Sequence, residues 1–168
     1  SFICIPENDE DRCLYLSVTR SPEMWAQRLH LIRTAPVLGN TELPYEYDVT
    51  PGMLTVRTFA GFIDYCFDGD GRLHIRGDRI VLRLEADLLP GESCVPGENG
   101  VWKASFDTVG NLFFIPVRGV LRYRTCTADG RSLKNGFILE CVPDGNSVFE
   151  TVIENGTGSI PPAARYMS

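Results

Sequence analysis

Histidine, a basic excess and long apolar runs are what this chain has least of. Its two histidines, His30 and His74, form no H-x-H or H-x-x-x-H pairing, so a metal ion would need ligands from distant segments. No metal or cofactor is expected. Lys and Arg number 16 against 22 Asp and Glu, and the net charge of −6 has the wrong sign for gripping nucleic-acid phosphates. No apolar run approaches the roughly 20 residues of a membrane span. The opening Ser1-Phe2-Ile3-Cys4-Ile5-Pro6, followed by Glu7, Asp9, Glu10 and Asp11, does not resemble a signal peptide. A cytoplasmic location is expected, with secretion left open. The G-x-S-x-G elbow, the Gly-rich phosphate loop and HExxH are all missing, so no catalytic residue is assigned.

What is present is an ordinary globular composition. With 168 residues, 43% hydrophobic and 23% charged, the chain suits one domain over residues 1–168. Six cysteines (Cys4, Cys13, Cys66, Cys94, Cys126 and Cys141) match no CxxC or zinc spacing. Cys126 shares strand parity with Arg122 and Arg124, and Cys141 with Phe137 and Leu139. In a hairpin these two thiols face opposite sides of the sheet. Free, mostly buried thiols are expected.

Periodicity gives the fold class: all-β, mainly an antiparallel β-sandwich, with one N-terminal α-helix. Ser21-Pro22-Glu23 supplies a cap, a first-turn proline and an acid, and Met24, Leu29 and Ile32 make an apolar stripe. A helix over about 22–34 follows, ending before Pro36. The strand signal is clearest over Arg79–Asp87, where Ile80, Leu82, Leu84 and Ala86 alternate with Arg79, Val81, Arg83, Glu85 and Asp87. Further strands are predicted at 13–19, 53–59, 61–67, 72–76, 100–106, 111–117, 119–126, 135–142 and 147–154. Asp68-Gly69-Asp70-Gly71, Arg76-Gly77-Asp78, Glu98-Asn99-Gly100 and Asp144-Gly145-Asn146 are the turns between them. The sandwich occupies about 45–155, and 156–168 reads as an extended tail.

Candidate sites come from the alternating faces. Asp68 and Asp70 have the i, i+2 spacing of a calcium loop. The twelfth position from Asp68 is Arg79 and the flanks are strand-like, so a hairpin turn is expected there. Glu85, Asp87, Glu140 and Glu150 read as charged members of alternating strands. Arg72, His74 and Arg76 share one parity, as do Arg79 and Arg83, and Arg118, Arg122 and Arg124. If those strands are neighbours, one solvated sheet face is studded with guanidinium groups. Arg72, Arg76, Arg83, Arg122 and Arg124 are then candidates for an interface. Trp102, Tyr45 and Tyr47 are the candidates for stacking on a carbohydrate. Phe62, Phe67, Phe106, Phe113, Phe137 and Phe149 read as core.

Several strings carry a resemblance: Met53-Leu54-Thr55-Val56-Arg57-Thr58-Phe59, Phe62-Ile63-Asp64-Tyr65-Cys66-Phe67-Asp68, Leu73-His74-Ile75-Arg76-Gly77, Ile80-Val81-Leu82-Arg83-Leu84, Asn111–Gly119 and Phe137–Asp144. Together, over roughly 45–155, they resemble the β-sandwich that starts some large bacterial glycoside-hydrolase-like proteins, ahead of an (α/α)6 barrel. The resemblance implies a non-catalytic accessory domain docking on a helical catalytic domain, with the catalytic acids in the barrel. The alternatives are a ligand-binding module that self-associates as a homo-oligomer, and a small β-barrel enzyme with an acid–base site.

Overall fold

The computed structural model describes residues 7–8, 13–17, 31–68, 72–107, 110–124 and 135–156. Among these described residues fifteen strands build two antiparallel sheets. The first contains β1 (Glu7–Asn8), β2 (Cys13–Ser17), β3 (Leu31–Leu38), β4 (Thr41–Glu42), β9 (Val81–Asp87), β13 (Val120–Arg124) and β14 (Gly136–Val142). Its order is β1-β2-β3-β9-β14-β13, with β4 also on β3. The second contains β5 (Glu46–Thr50), β6 (Met53–Arg57), β7 (Phe62–Phe67), β8 (Leu73–Asp78), β10 (Ser93–Pro96), β11 (Trp102–Phe106), β12 (Gly110–Arg118) and β15 (Val148–Gly156). It runs β10-β11-β12-β15-β8-β7-β6-β5. The fold is therefore an all-β sandwich, and among the described residues the only helical element is the 3-10 turn Glu98–Gly100.

One buried cluster takes side chains from both sheets. Ile32, Leu82, Leu84, Phe137 and Leu139 come from the first; Ile63, Leu73, Ile75, Phe114, Phe149 and Ile153 come from the second. Leu82 and Leu84 are fully buried, as the alternation in 79–87 requires. Two polar contacts sit inside this core. The Tyr65 hydroxyl is hydrogen-bonded to Thr34, whose own hydroxyl donates to the Leu14 carbonyl at 3.0 Å. Thr151 is hydrogen-bonded to the Cys141 thiol, which burial pushes up to about 12. Cys66, Cys94 and Cys141 are free thiols; Cys66 is exposed and Cys94 half-buried.

Two expectations need correction, and one strand was not foreseen. The segment assigned to a helix over 22–34 enters the described residues at Leu31, and there it is strand, not helix. Its capping signal at Ser21-Pro22-Glu23 lies outside the described residues. Ile32 and Thr34 alternate inward between β2 and β9, and sheet pairing on both sides outweighs a short helical spacing. Pro36 is tolerated because β2 pairs only as far as Thr34, so no ladder donor is lost on that side. Among the aromatics, Phe106, Phe137 and Phe149 are buried, but Phe62 and Phe113 sit half-buried on the outer face, and Phe114 takes the inner position. Finally, Glu46–Thr50 is an edge strand. Its Tyr47 and Val49 pair with buried Val56 and Leu54 yet remain 37% and 69% exposed, so β5 overhangs the core.

The arginines divide between the two sheets. The chain passes from β12 to β13, and so from one sheet to the other, at Gly119 with φ +78°. A Cβ there would overlap the Val142 carbonyl, so glycine is required for both reasons.

Candidate functional site

Antiparallel register builds two parallel rows across the outer face of the eight-stranded sheet. In one, Ile115 pairs with Val152, Val152 with His74, His74 with Cys66, and Cys66 with Met53. In the next, Arg118 pairs with Glu150, Glu150 with Arg76, Arg76 with Asp64, and Asp64 with Thr55. The first row is apolar and sulfur-bearing apart from His74; the second alternates in charge. A groove of about 400 Å³ follows the two rows, lined by Met53, Cys66, His74 and Val152 on one side and Asp64, Arg76 and Glu150 on the other. Val117, the extra residue of a bulge between Pro116 and Arg118, forms an end wall and is 44% exposed.

Polar groups along this face are held in place. The Thr55 hydroxyl donates to Asp64 Oδ1 at 2.7 Å, and Arg76 Nε lies 3.4 Å from Glu150 Oε1. Asp68 closes the β7–β8 end: its Oδ1 accepts the Arg72 amide, and its Oδ2 accepts Arg72 Nε at 2.7 Å and His74 Nε2 at 2.8 Å. This carboxylate is engaged in a hairpin; residues 69–71 lie outside the described residues. At the other end Arg118 Nε donates to Asp144 Oδ2 at 2.6 Å. That bond, with amide donors from Val148 and Asn146, holds the Asp144 carboxyl below the ordinary aspartate value and raises Arg118. Among the described residues no three His, Cys, Asp or Glu side chains converge on a metal position.

The seven-stranded sheet carries a different cluster. On its outer face Arg83, Glu85 and Glu140 are only 3–5% exposed, beside buried Val37 and Ile138. Glu140 Oε1 accepts Arg122 Nε at 2.9 Å and Arg124 Nε at 2.6 Å, while its Oε2 lies 3.7 Å from Arg83 Nε. The ladder continues through Glu85 to Arg33, and Arg33 donates to Glu42 Oε2 at 3.0 Å. A single solvated guanidinium face over Arg72, Arg76, Arg83, Arg122 and Arg124 is thus overturned. Arg72 and Arg76 belong to one sheet, the other three to its opposite, and Arg83 is buried against glutamate. The carboxylates separate likewise: Glu85 and Glu140 lie in this ladder, Glu150 lines the groove, and Asp87 is exposed.

The three aromatic candidates do not meet. Trp102 stacks on Tyr123 with ring centroids 4.8 Å apart and planes 7° from parallel. The two rings come from opposite sheets, so one indole face is taken. Tyr45 packs against the core, and Tyr47 lies on overhanging β5. None of the three lines the groove. The residues that do line it were visible in the sequence as single members of alternating strands. The signal that brings them together is hairpin arithmetic. Paired residue numbers have a constant sum within each hairpin, so that Arg57 opposite Phe62 sets Met53 opposite Cys66, and Phe67 opposite Leu73 sets Cys66 opposite His74. The turns at Thr58–Gly61 and Asp68–Arg72 fix those sums.

No helix among the described residues is long and apolar enough to cross a membrane. Compared with protein families, with curated proteins and with solved structures, the chain finds no match.

Proposed function

We propose that the chain is a non-catalytic β-sandwich module of a carbohydrate-active protein, taking a glycan in the groove on the outer face of its eight-stranded sheet. The observation that carries this reading is the pairing of an apolar row with a charged one. A sugar ring has a C–H face and a hydroxyl edge. Val152 and Met53 offer apolar surface to the first; Asp64, Arg76 and Glu150 offer fixed acceptors and a guanidinium fork to the second. Glu150 and Arg76 are paired with each other, and Asp64 is held by Thr55, so the polar edge is fixed in place for binding. Catalytic acids would then belong to a separate domain, as the resemblance of residues 45–155 implies.

The test is a glycan array followed by calorimetry on the hits, in the presence of a metal chelator. Arg76→Ala and Asp64→Ala should each weaken binding about 10- to 100-fold, the loss expected for hydrogen bonds to a charged group, with the melting temperature nearly unchanged. An array without hits, or full affinity in Arg76→Ala, would overturn the proposal.

A further inference from the structure

We propose that the Met53–Cys66–His74 row is a binding site for copper(I), with Met53 Sδ, Cys66 Sγ and His74 Nδ1 as its three donors. This goes beyond the glycan reading and does not rest on it. Direct register partners on one face of an antiparallel pair have Cβ atoms about 4.5–5.5 Å apart, close enough for two side chains to share one ion. Cys66 is the register partner of both His74 and Met53, so it stands at the centre of the three. All three line the same groove, open to an incoming ion.

The histidine is prepared as a ligand. Asp68 Oδ2 sits 2.8 Å from His74 Nε2; in the neutral imidazole such a carboxylate holds the ring proton on that nitrogen and leaves the Nδ1 lone pair for a metal. Asp68 is itself fixed by the amide and guanidinium of Arg72. This is the carboxylate–histidine relay that outer shells of metal sites use to set tautomer and ring orientation. The thiol is exposed and makes a long contact, 3.7 Å, to the Phe67 carbonyl.

Ligand softness selects the metal. A thiolate, a neutral thioether and an imidazole suit copper(I), whereas structural zinc requires four ligands and draws them from Cys, His and carboxylates. Binding exchanges the thiol proton for the ion: Cys66–SH plus Cu⁺ gives Cys66–S–Cu plus H⁺. The product is neutral at the thiolate–copper unit and involves no change of oxidation state.

The experiment is an anaerobic titration of the full chain with copper(I) against a chromogenic copper(I) chelator. One equivalent should bind with a sulfur-to-copper absorption band in the near ultraviolet. Cys66→Ser should abolish the tight equivalent, and Met53→Leu should weaken it while leaving the fold intact, because both side chains are exposed. Asp68→Asn should cost about 10- to 100-fold, the range for losing an outer-shell partner. Undiminished copper binding by Cys66→Ser would assign the ion to other thiols and overturn the site. So would tighter binding of zinc(II) than copper(I), or indifference to Met53→Leu. Glycan affinity measured on Cys66→Ser under chelator separates a failure here from a failure of the glycan reading, since Arg76 and Asp64 remain.

Discussion

Glu140 shows how a charge is kept inside this sandwich. Its side chain is 4% exposed and receives two arginine donors on a single oxygen, with a third arginine near the other. Removing one partner of a buried pair leaves the rest unbalanced, at a cost of about 3–5 kcal/mol. Glu140→Ala should therefore lower stability by that amount in urea unfolding. Arg122→Ser should cost only about 0–1 kcal/mol, because Arg122 is half exposed and Arg124 shares the same oxygen. Equal losses from the two variants would mean that Arg122, not the buried acid, anchors the ladder. Asp144 makes a pH-dependent case. Its folded carboxyl titrates below the ordinary 3.8, so the stabilisation is complete above that value and disappears as pH falls through the lower folded value. Asp144→Asn should melt lower than wild type near pH 6, and the two curves should converge below pH 3.8. A gap that persists unchanged into strong acid would assign the effect to backbone capping and not to charge.

At the scale of elements, alternation read strands well and neighbours poorly. Ten predicted strands correspond to observed ones, and in strands such as β6 and β8 a single buried face stamps period two on the residues. Glu46–Thr50 escaped, since an overhanging edge has no buried face to impose a pattern. The strand at Leu31 escaped because Ile32 serves an apolar stripe at either spacing and only the flanking β2 and β9 decide between them. The arginine face failed for a third reason: parity says which residues share a face but not which sheet that face belongs to. The corner at Gly119 is what separates Arg118 from Arg122 and Arg124. The groove was half legible, its hairpins countable from their turns but its β15 and β12 walls set by pairings far apart in sequence. One element-level contact has a sharp consequence. Gly77 on β8 faces Phe149, its register partner on β15, and a Cβ at that position would fall inside the phenyl ring. The ring is fully buried and has nowhere to swing. Gly77→Ala should therefore destabilise by about 1–3 kcal/mol, the usual cost of overpacking. Adding Phe149→Leu should recover part of that loss relative to Phe149→Leu alone, measured as a double-mutant cycle. Strict additivity would show that the two positions do not compete for space.

The whole molecule has one main core rather than one per sheet. Leu82 and Leu84 on β9, in the middle of the seven-stranded sheet, belong to the same buried cluster as Ile63, Ile75 and Phe149 of the eight-stranded sheet. Polar contacts from Tyr65 to Thr34 and from Thr151 to Cys141 also cross between the sheets. Neither sheet can lose its partner and keep its inner face dry, so the described domain should unfold as a unit. A carboxylate at position 82 or 84 would lie within this core without a cation on its side of the sheet, since Arg83 and its glutamates occupy the outer face. Burying an unpaired charge costs several kcal/mol, a large part of the roughly 5–15 kcal/mol that holds a domain together. Leu82→Asp and Leu84→Asp should each abolish the cooperative melt, with far-ultraviolet and near-ultraviolet circular dichroism lost together. Val49→Asp is the matched control, because Val49 shares inner parity but is 69% exposed on overhanging β5, and its melt should stay close to wild type. Retained near-ultraviolet signal in Leu82→Asp, with only part of the strand signal gone, would mean that the eight-stranded sheet stands without its partner.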